Sequence, residues 1–338
     1  MLFGSPRLAR YSVFGNLFAR SGLDSPVYRL DRHPTMSQHP ITPMNESDVA
    51  VHLGLQTQMT VGLLDIVDLS LADRELDQRI QTLLASCAEI ILFDVLYEEH
   101  LATIGRLIWK HTSRDAPLFA VGSSGIESAL TAFWHKSGLI PEAQSPRSPG
   151  RVEQIVAVSG SCSPVTESQI AQAVESGFAD MPLDSQRLVS PSEVDAECHR
   201  AVRAALELLT AGRSVILHSC RGSNDARVQP TLERLAESGS ISARSRILGK
   251  ALGRILDQVL RESGLRRAAV TGGDTSVYVA RELGIEALEM VAPLAPGSPL
   301  CRMHTSGSLL DGREITFKGG QVGRVDFFRD VLAGASSC

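Results

Sequence analysis

Two rhythms of apolar residues alternate through most of the chain. Short unbroken runs at 59–67, 89–95 and 118–121 predict buried strands, and stretches at 46–58, 71–84 and 98–111, with apolar side chains at helical spacing, predict helices. The first of these helices has Ser47 or Asn45 as its N-cap candidates. The pattern resumes further on, with strands expected at 154–158, 214–218 and 268–270 and helices at 126–136, 170–176, 192–210, 242–263 and from 276. Such alternation implies βαβ crossovers, so the expected class is α/β, with two domains that each carry a mainly parallel sheet flanked by helices. The break between them falls at 141–150, where Pro141, Pro146 and Pro149 stand among small polar residues and no core element can form. The expected domains are therefore 1–145 and 151–338.

Ligands of parallel sheets collect at the carboxyl ends of strands, and glycine-rich loops stand at three of those ends. The run 268–270 leads into Gly272, Gly273, Asp274 and Thr275 and then a helix. A helix N-terminus presents unpaired N–H groups to an anion, and a side chain at either glycine would block its approach, so phosphate is the natural guest. A plain strand-to-helix turn is the alternative. Gly122-Ser123-Ser124-Gly125 follows the run at 118–121, with Ser124 and Glu127 spaced as a capping box. It reads either as a site for a small carboxylate or as an ordinary turn, with Asp94 facing the same rim. The third loop, 159–163, contains Ser161 and precedes Thr166 and Gln169, spaced as a second capping box. Lys318 among Gly319, Gly320 and Gly323 is open to two readings, an ammonium laid on a nucleotide or an exposed lysine on a surface hairpin. No GxxxxGK[ST] and no GxGxxG string occurs.

The stretch 28–44 holds Pro34, Pro40 and Pro43, which rule out regular structure, and its polar side chains Arg32, His33, His39 and Thr42 are expected to project from an extended loop. Two histidines without a third ligand make a weak metal site. Hydrogen bonding to a sugar or acid and a merely ordered loop both remain open. A net charge of −5 over 338 residues supplies no basic field for nucleic acid. Six scattered cysteines suit reduced thiols. No apolar run approaches the roughly 20 residues needed to cross a bilayer, and the opening residues lack a signal peptide's apolar core, so a cytoplasmic protein is expected.

Gly272-Gly-Asp-Thr275, the Pro296-Gly297 turn, the 318–323 segment and the loop at 159–163 together resemble the nucleotide-binding domain of the four-carbon acid sugar kinases. The stretch from His39 to Met44, Glu46 to Asp48, Gln56 and the 122–125 loop are similar to that family's sugar-acid domain. The resemblance implies phosphoryl transfer from MgATP to a hydroxyl of an acid such as threonate, erythronate or 3-oxo-tetronate. It implies an ATP site of Ser161, Gly272, Gly273, Asp274, Thr275, Gly297, Lys318, Gly319, Gly320 and Gly323, with Asp274 organising Mg2+. It implies acid contacts from Arg32, His39, Thr42, Ser123 and Ser124, and is compatible with a homo-oligomer. The family's N-terminal Asp-Asp-x-Thr-Gly motif is absent from these 338 residues. The resemblance thus implies a missing first βα unit, an uncovered apolar face or sheet edge, and an unassigned general base. A catalytically silent binding protein and a different phosphate-handling enzyme stand as alternatives.

Overall fold

The computed structural model of the chain describes residues 1–21, 25–38, 43–141, 148–236 and 241–335, with backbone alone for 241–244. Contacts divide the chain into two units, Met1–Gln144 and Ser145–Cys338.

Unit 1 begins with an antiparallel sheet of β1 (Arg10–Val13), β2 (Asn16–Arg20) and β3 (Val27–Arg29). Then follow α1 (Val49–Gly54), β4 (Val61–Leu64), α2 (Asp73–Ala85), β5 (Ile90–Phe93), α3 (Glu98–Lys110) and α4 (Gly125–Lys136). The parallel sheet expected here is the single pair β4–β5, and the three-stranded antiparallel sheet accompanies it. The N-cap of α1 is Asp48 rather than Ser47 or Asn45; its carboxylate accepts from the N–H groups of Ala50 and Val51 at 2.9 and 3.2 Å. The apolar stripe of α3 buries Leu101, Ile104, Leu107 and Ile108, and Gly105 brings α4 close, since a Cβ there would stand 2.0 Å from the Ala129 carbonyl oxygen.

The strand expected at 118–121 does not form. Phe119 is 89% exposed, and regular pairing is confined to a parallel bridge between Leu2 and Gly122. Met1 and Leu2 take the inner position instead, with Phe93 N–H donating to Met1 O at 3.0 Å and Leu2 N–H to Val121 O at 3.0 Å. Apolar character at 118–120 therefore marks an open cleft of about 590 Å3 beside β5, lined among others by Phe93, Leu107, Ile108 and Phe119.

Unit 2 runs β6 (Val156–Ser159), α5 (Pro164–Glu175), β7 (Ala179–Pro182), α6 (Ser185–Leu188), α7 (Val194–Thr210), β8 (Val215–His218), α8 (Val228–Ala236), α9 (Ile241–Ser263) and β9 (Arg267–Thr271). It continues with α10 (Gly273–Glu282), β10 (Ala287–Ala295), β11 (Ser298–His304), β12 (Glu314–Lys318) and α11 (Phe327–Ala333). The seven strands form one sheet in the order β10-β11-β12-β9-β6-β8-β7, parallel from β12 to β7 and antiparallel at β10 and β11. Helices cover both faces, so β6, β8 and β9 read as unbroken apolar runs because neither face meets water.

One ion pair is fully enclosed. Arg267, at the start of β9, pairs with Glu314 of β12 at 2.6 Å and also donates to the carbonyls of Gly150, Val331 and Leu332. Arg266 takes the other Glu314 oxygen. Both members of the pair are buried, and every polar contact is met from within unit 2.

Candidate functional site

The order of strands in unit 2 fixes where a ligand can approach. β6 has β8 on one side and β9 on the other, so the chain leaves β6 in one direction and returns through β9 in the other. Crevices open outside the carboxyl ends of strands at such reversals. Here three loops are stitched together by backbone bonds. Gly160 N–H donates to Thr271 O at 2.9 Å, and Gly272 N–H donates to Lys318 O at 2.8 Å.

Gly272 is the N-cap of α10 with φ +119°, a conformation that glycine adopts without strain. The first-turn N–H groups of α10 have no partner within the helix. A Cβ on Gly273 would meet nothing within 4 Å, so open space lies directly beside them. The helix is held in place by α9, where Gly249 and Gly253 admit Tyr278 and Glu282. A Cβ on Gly253 would come within 2.6 Å of Glu282 Cβ. Asp274 is exposed in this first turn and accepts a hydrogen bond from Ser245 Oγ of α9 at 3.0 Å.

Other residues expected at the nucleotide gather here but face differently. Thr275 is buried, its hydroxyl only 2.2 Å from where a Cβ on Gly160 would lie, so it supports the 159–163 loop. Ser161 is buried with its Oγ on Thr166 Oγ1 at 3.1 Å. Gly323 is buried against Phe327, while Gly319 and Gly320 are half-buried. Gly297, with φ +75°, turns β10 into β11, and the neighbouring Ser298 Oγ bonds Phe317 O at 2.8 Å, near the end of β12. Lys318 is neither an exposed hairpin lysine nor turned outward: it is wholly buried, and burial pulls its pKa down to about 7.

The capping box expected of Thr166 and Gln169 is absent. Ser163 caps α5 through the N–H of Val165, because Pro164 starts the helix three residues earlier than the spacing suggested. This frees Thr166 and Gln169 to bond elsewhere, a role the capping-box spacing does not reveal. A second correction concerns the thiols: Cys162 and Cys220 form a disulfide, with Cα atoms 5.7 Å apart, joining the loops after β6 and β8. Beside it His218 Nε2 lies 2.8 Å from Asp180 Oδ1, Arg227 Nη2 lies 3.1 Å from His218 Nδ1, and Arg221 holds the other Asp180 oxygen. Burial lowers the His218 pKa, and a neutral ring donating from Nε2 and accepting at Nδ1 satisfies both neighbours.

Among the described residues no group of three or more His, Cys, Asp or Glu side chains could hold a metal ion. Asp274 alone beside the open space over Gly273 nevertheless fits magnesium, which takes one or two carboxylates and completes its shell with phosphates and water.

In unit 1 the residues expected at the acid are less concentrated. His39 and Thr42 lie outside the described residues. Arg32 is exposed at the end of a 3-10 turn, Leu30–Arg32. His33 does not project: it is buried, and its Nδ1 accepts from the N–H groups of Thr35 and Met36, both at 3.1 Å. Ser124 is exposed and helical in conformation and makes no cap bond, so the Ser124–Glu127 box is also absent. Ser123 Oγ instead donates to Phe3 O at 3.1 Å. The glycines of this loop serve packing, since a Cβ on Gly122 or Gly125 would strike the carbonyls of Leu2 or Gly4. Asp94 is wholly buried rather than on a rim, accepting from the N–H groups of Gly15 and Ile66, and burial raises its pKa.

Residues 2–130 match the model of a sugar-binding N-terminal domain and residues 156–328 that of a nucleotide-binding C-terminal domain. A 3-oxo-isoapionate kinase of Paraburkholderia graminis is 44% identical over 336 residues, covering 99% of this chain and 70% of its own. A 3-oxo-tetronate kinase of Pseudomonas savastanoi pv. phaseolicola is 26% identical over 334 residues, covering 98% and 71%. A solved Salmonella typhimurium protein, 23% identical, superposes with a TM-score of 0.70 over 97% of this chain and 71% of its own, which bears on the fold.

Proposed function

The chain belongs to the four-carbon acid sugar kinase family, and from that premise we propose that it transfers a phosphoryl group from ATP to a hydroxyl of a 3-oxo sugar acid. The observation that carries the nucleotide half is the convergence of three loops on open space at the N-terminus of α10. There the N–H groups of 273–275 bind and orient phosphate, and Asp274 would hold the magnesium that neutralises charge on the phosphates. The relatives' names share a 3-oxo acid, and the 44% identity favours 3-oxo-isoapionate over 3-oxo-tetronate as the acceptor. Arg32 and the loop around it, with Ser124, are the acid-side candidates.

Release of ADP, followed with 3-oxo-isoapionate, 3-oxo-tetronate, threonate and erythronate in turn, tests this directly. Turnover with a 3-oxo acid is expected. ATP binding without turnover on any acid would replace the kinase with a binding protein. Asp274→Asn should lower kcat roughly a hundredfold, as loss of one group that organises transition-state charge does, while metal-free ATP binding changes little. Unchanged turnover would remove Asp274 from the reaction.

A further inference from the structure

We propose that Lys318, Thr166 and Gln169 form a clasp beneath the 319–324 loop that sets how its backbone meets the nucleotide, making all three positioning residues for phosphoryl transfer. The inference rests on the reading above that this loop lines the ATP site. All three side chains are wholly buried. Lys318 Nζ donates to Thr166 Oγ1 at 3.0 Å and to the carbonyls of Gly319 and Gly320 at 3.1 and 3.4 Å. Three acceptors face the three protons of an ammonium. Thr166 Oγ1 is the hub, receiving Ser161 Oγ and Lys318 Nζ and donating to Gly320 O at 2.9 Å. Gln169 Nε2 spans the carbonyls of Val322, Gly323 and Arg324 at 3.0, 3.1 and 2.9 Å.

The arrangement is costly as a mere core contact. A buried amine loses its hydration, and Gln169 Oε1 is buried without a partner, whereas apolar side chains of similar volume would fill the same space without either loss. What the clasp achieves is an orientation. In a planar trans peptide the C=O and the following N–H point opposite ways. Holding the carbonyls of 319 and 322 from below turns the N–H groups of 320 and 323 away from the clasp, the disposition a loop needs to offer donors to phosphate. Gly320 also fits only without a side chain, since its Cβ would stand 2.7 Å from Ser161 Oγ, so the loop and the 159–163 segment are locked as one surface.

The test uses the full chain and ATP itself. Thr166→Val and Gln169→Met should each raise the Kd for ATP about tenfold by calorimetry and raise KM for ATP, with KM for the acid within twofold; Thr166→Ser, which keeps the hydroxyl, should stay near wild type. In the unaltered protein, ATP should slow amide exchange at 319–324, a measurement that stands even if a variant does not fold. Three results overturn the clasp while leaving the nucleotide site intact: folded Thr166→Val and Gln169→Met variants binding ATP as wild type does, both substrates' KM values rising together, or exchange at 319–324 unchanged by ATP. An unaltered chain that binds no ATP would sink the nucleotide site and the clasp with it.

Discussion

Gly273→Val abolishes ATP binding and leaves the fold standing: that is the result expected of the glycine turn. A Cβ at Gly273 has no neighbouring element within 4 Å, so the substitution is expected to leave the fold intact. It does fill the ground a phosphate needs to reach the first-turn N–H groups of α10. Loss of that contact should weaken ATP roughly a thousandfold, about 4 kcal/mol, in calorimetry on the full chain. Gly272→Val is the contrasting variant. Its φ of +119° and the Thr275 hydroxyl 2.9 Å from the new Cβ make it a folding defect as well as a binding one. Gly273→Val binding ATP with near-native affinity would move the phosphates elsewhere.

The other large effect concerns stability. Arg267→Met removes the buried partner of a carboxylate that is 2% exposed and takes a donor from the carbonyls of Gly150, Val331 and Leu332, of which the last two keep the N–H groups of Gly334 and Val152. Breaking one side of a buried pair costs about 3–5 kcal/mol, and Arg266, reaching Glu314 from a more exposed position, should keep the loss toward the lower figure. Urea unfolding followed by circular dichroism should show a lower midpoint. The two tryptophans, Trp109 and Trp134, stand in unit 1, so their fluorescence should shift less. A double change, Arg267→Met with Glu314→Leu, should recover much of the loss, because the uncompensated charge goes with it. A midpoint unchanged by Arg267→Met alone would show that the pair contributes nothing.

Much of unit 2 was legible because β6, β8 and β9 are buried on both faces. Runs such as 268–270 cannot sit in a helix bounded by Gly264 and Gly272, and the turn that ends them needs glycine for a reason visible in the letters. Unit 1 was harder. The run at 118–121 is apolar without being a strand, since Met1 and Leu2 pair with β5 and leave Phe119 in an open cleft; periodicity reports apolar character, not its partner. Both capping boxes misled for a local reason. A hydroxyl three residues before Glu or Gln is a cap only if the helix starts there and the residue is extended; Pro164 moved one start, while Ser124 stands at the N-cap of α4 in a helical conformation and makes no cap bond. Lys318 was ambiguous because burial is a property of the neighbours: Thr166 lies 152 residues away and nothing in the 318–323 string announces it. The Cys162–Cys220 pair was hidden likewise, 58 residues apart across two loops.

The contacts of Arg267 also make the backbone of unit 2 nearly circular. Gly150 and the carbonyls of 331 and 332 meet on one guanidinium, Val152 N–H bonds Leu332 O at 3.0 Å, and Ser148 Oγ reaches Gly334 O at 3.3 Å. Segments nearly two hundred positions apart along the chain are therefore neighbours in space, and a few residues suffice to join 334 to 150 with little loop-closure entropy. They meet at the first residue of β9, whereas the glycine turn follows its last, about 16 Å further on at roughly 3.3 Å per residue. A circular permutant joined there, with new ends opened in the exposed turn at 306–307, would carry its seam at the pole opposite the glycine turn.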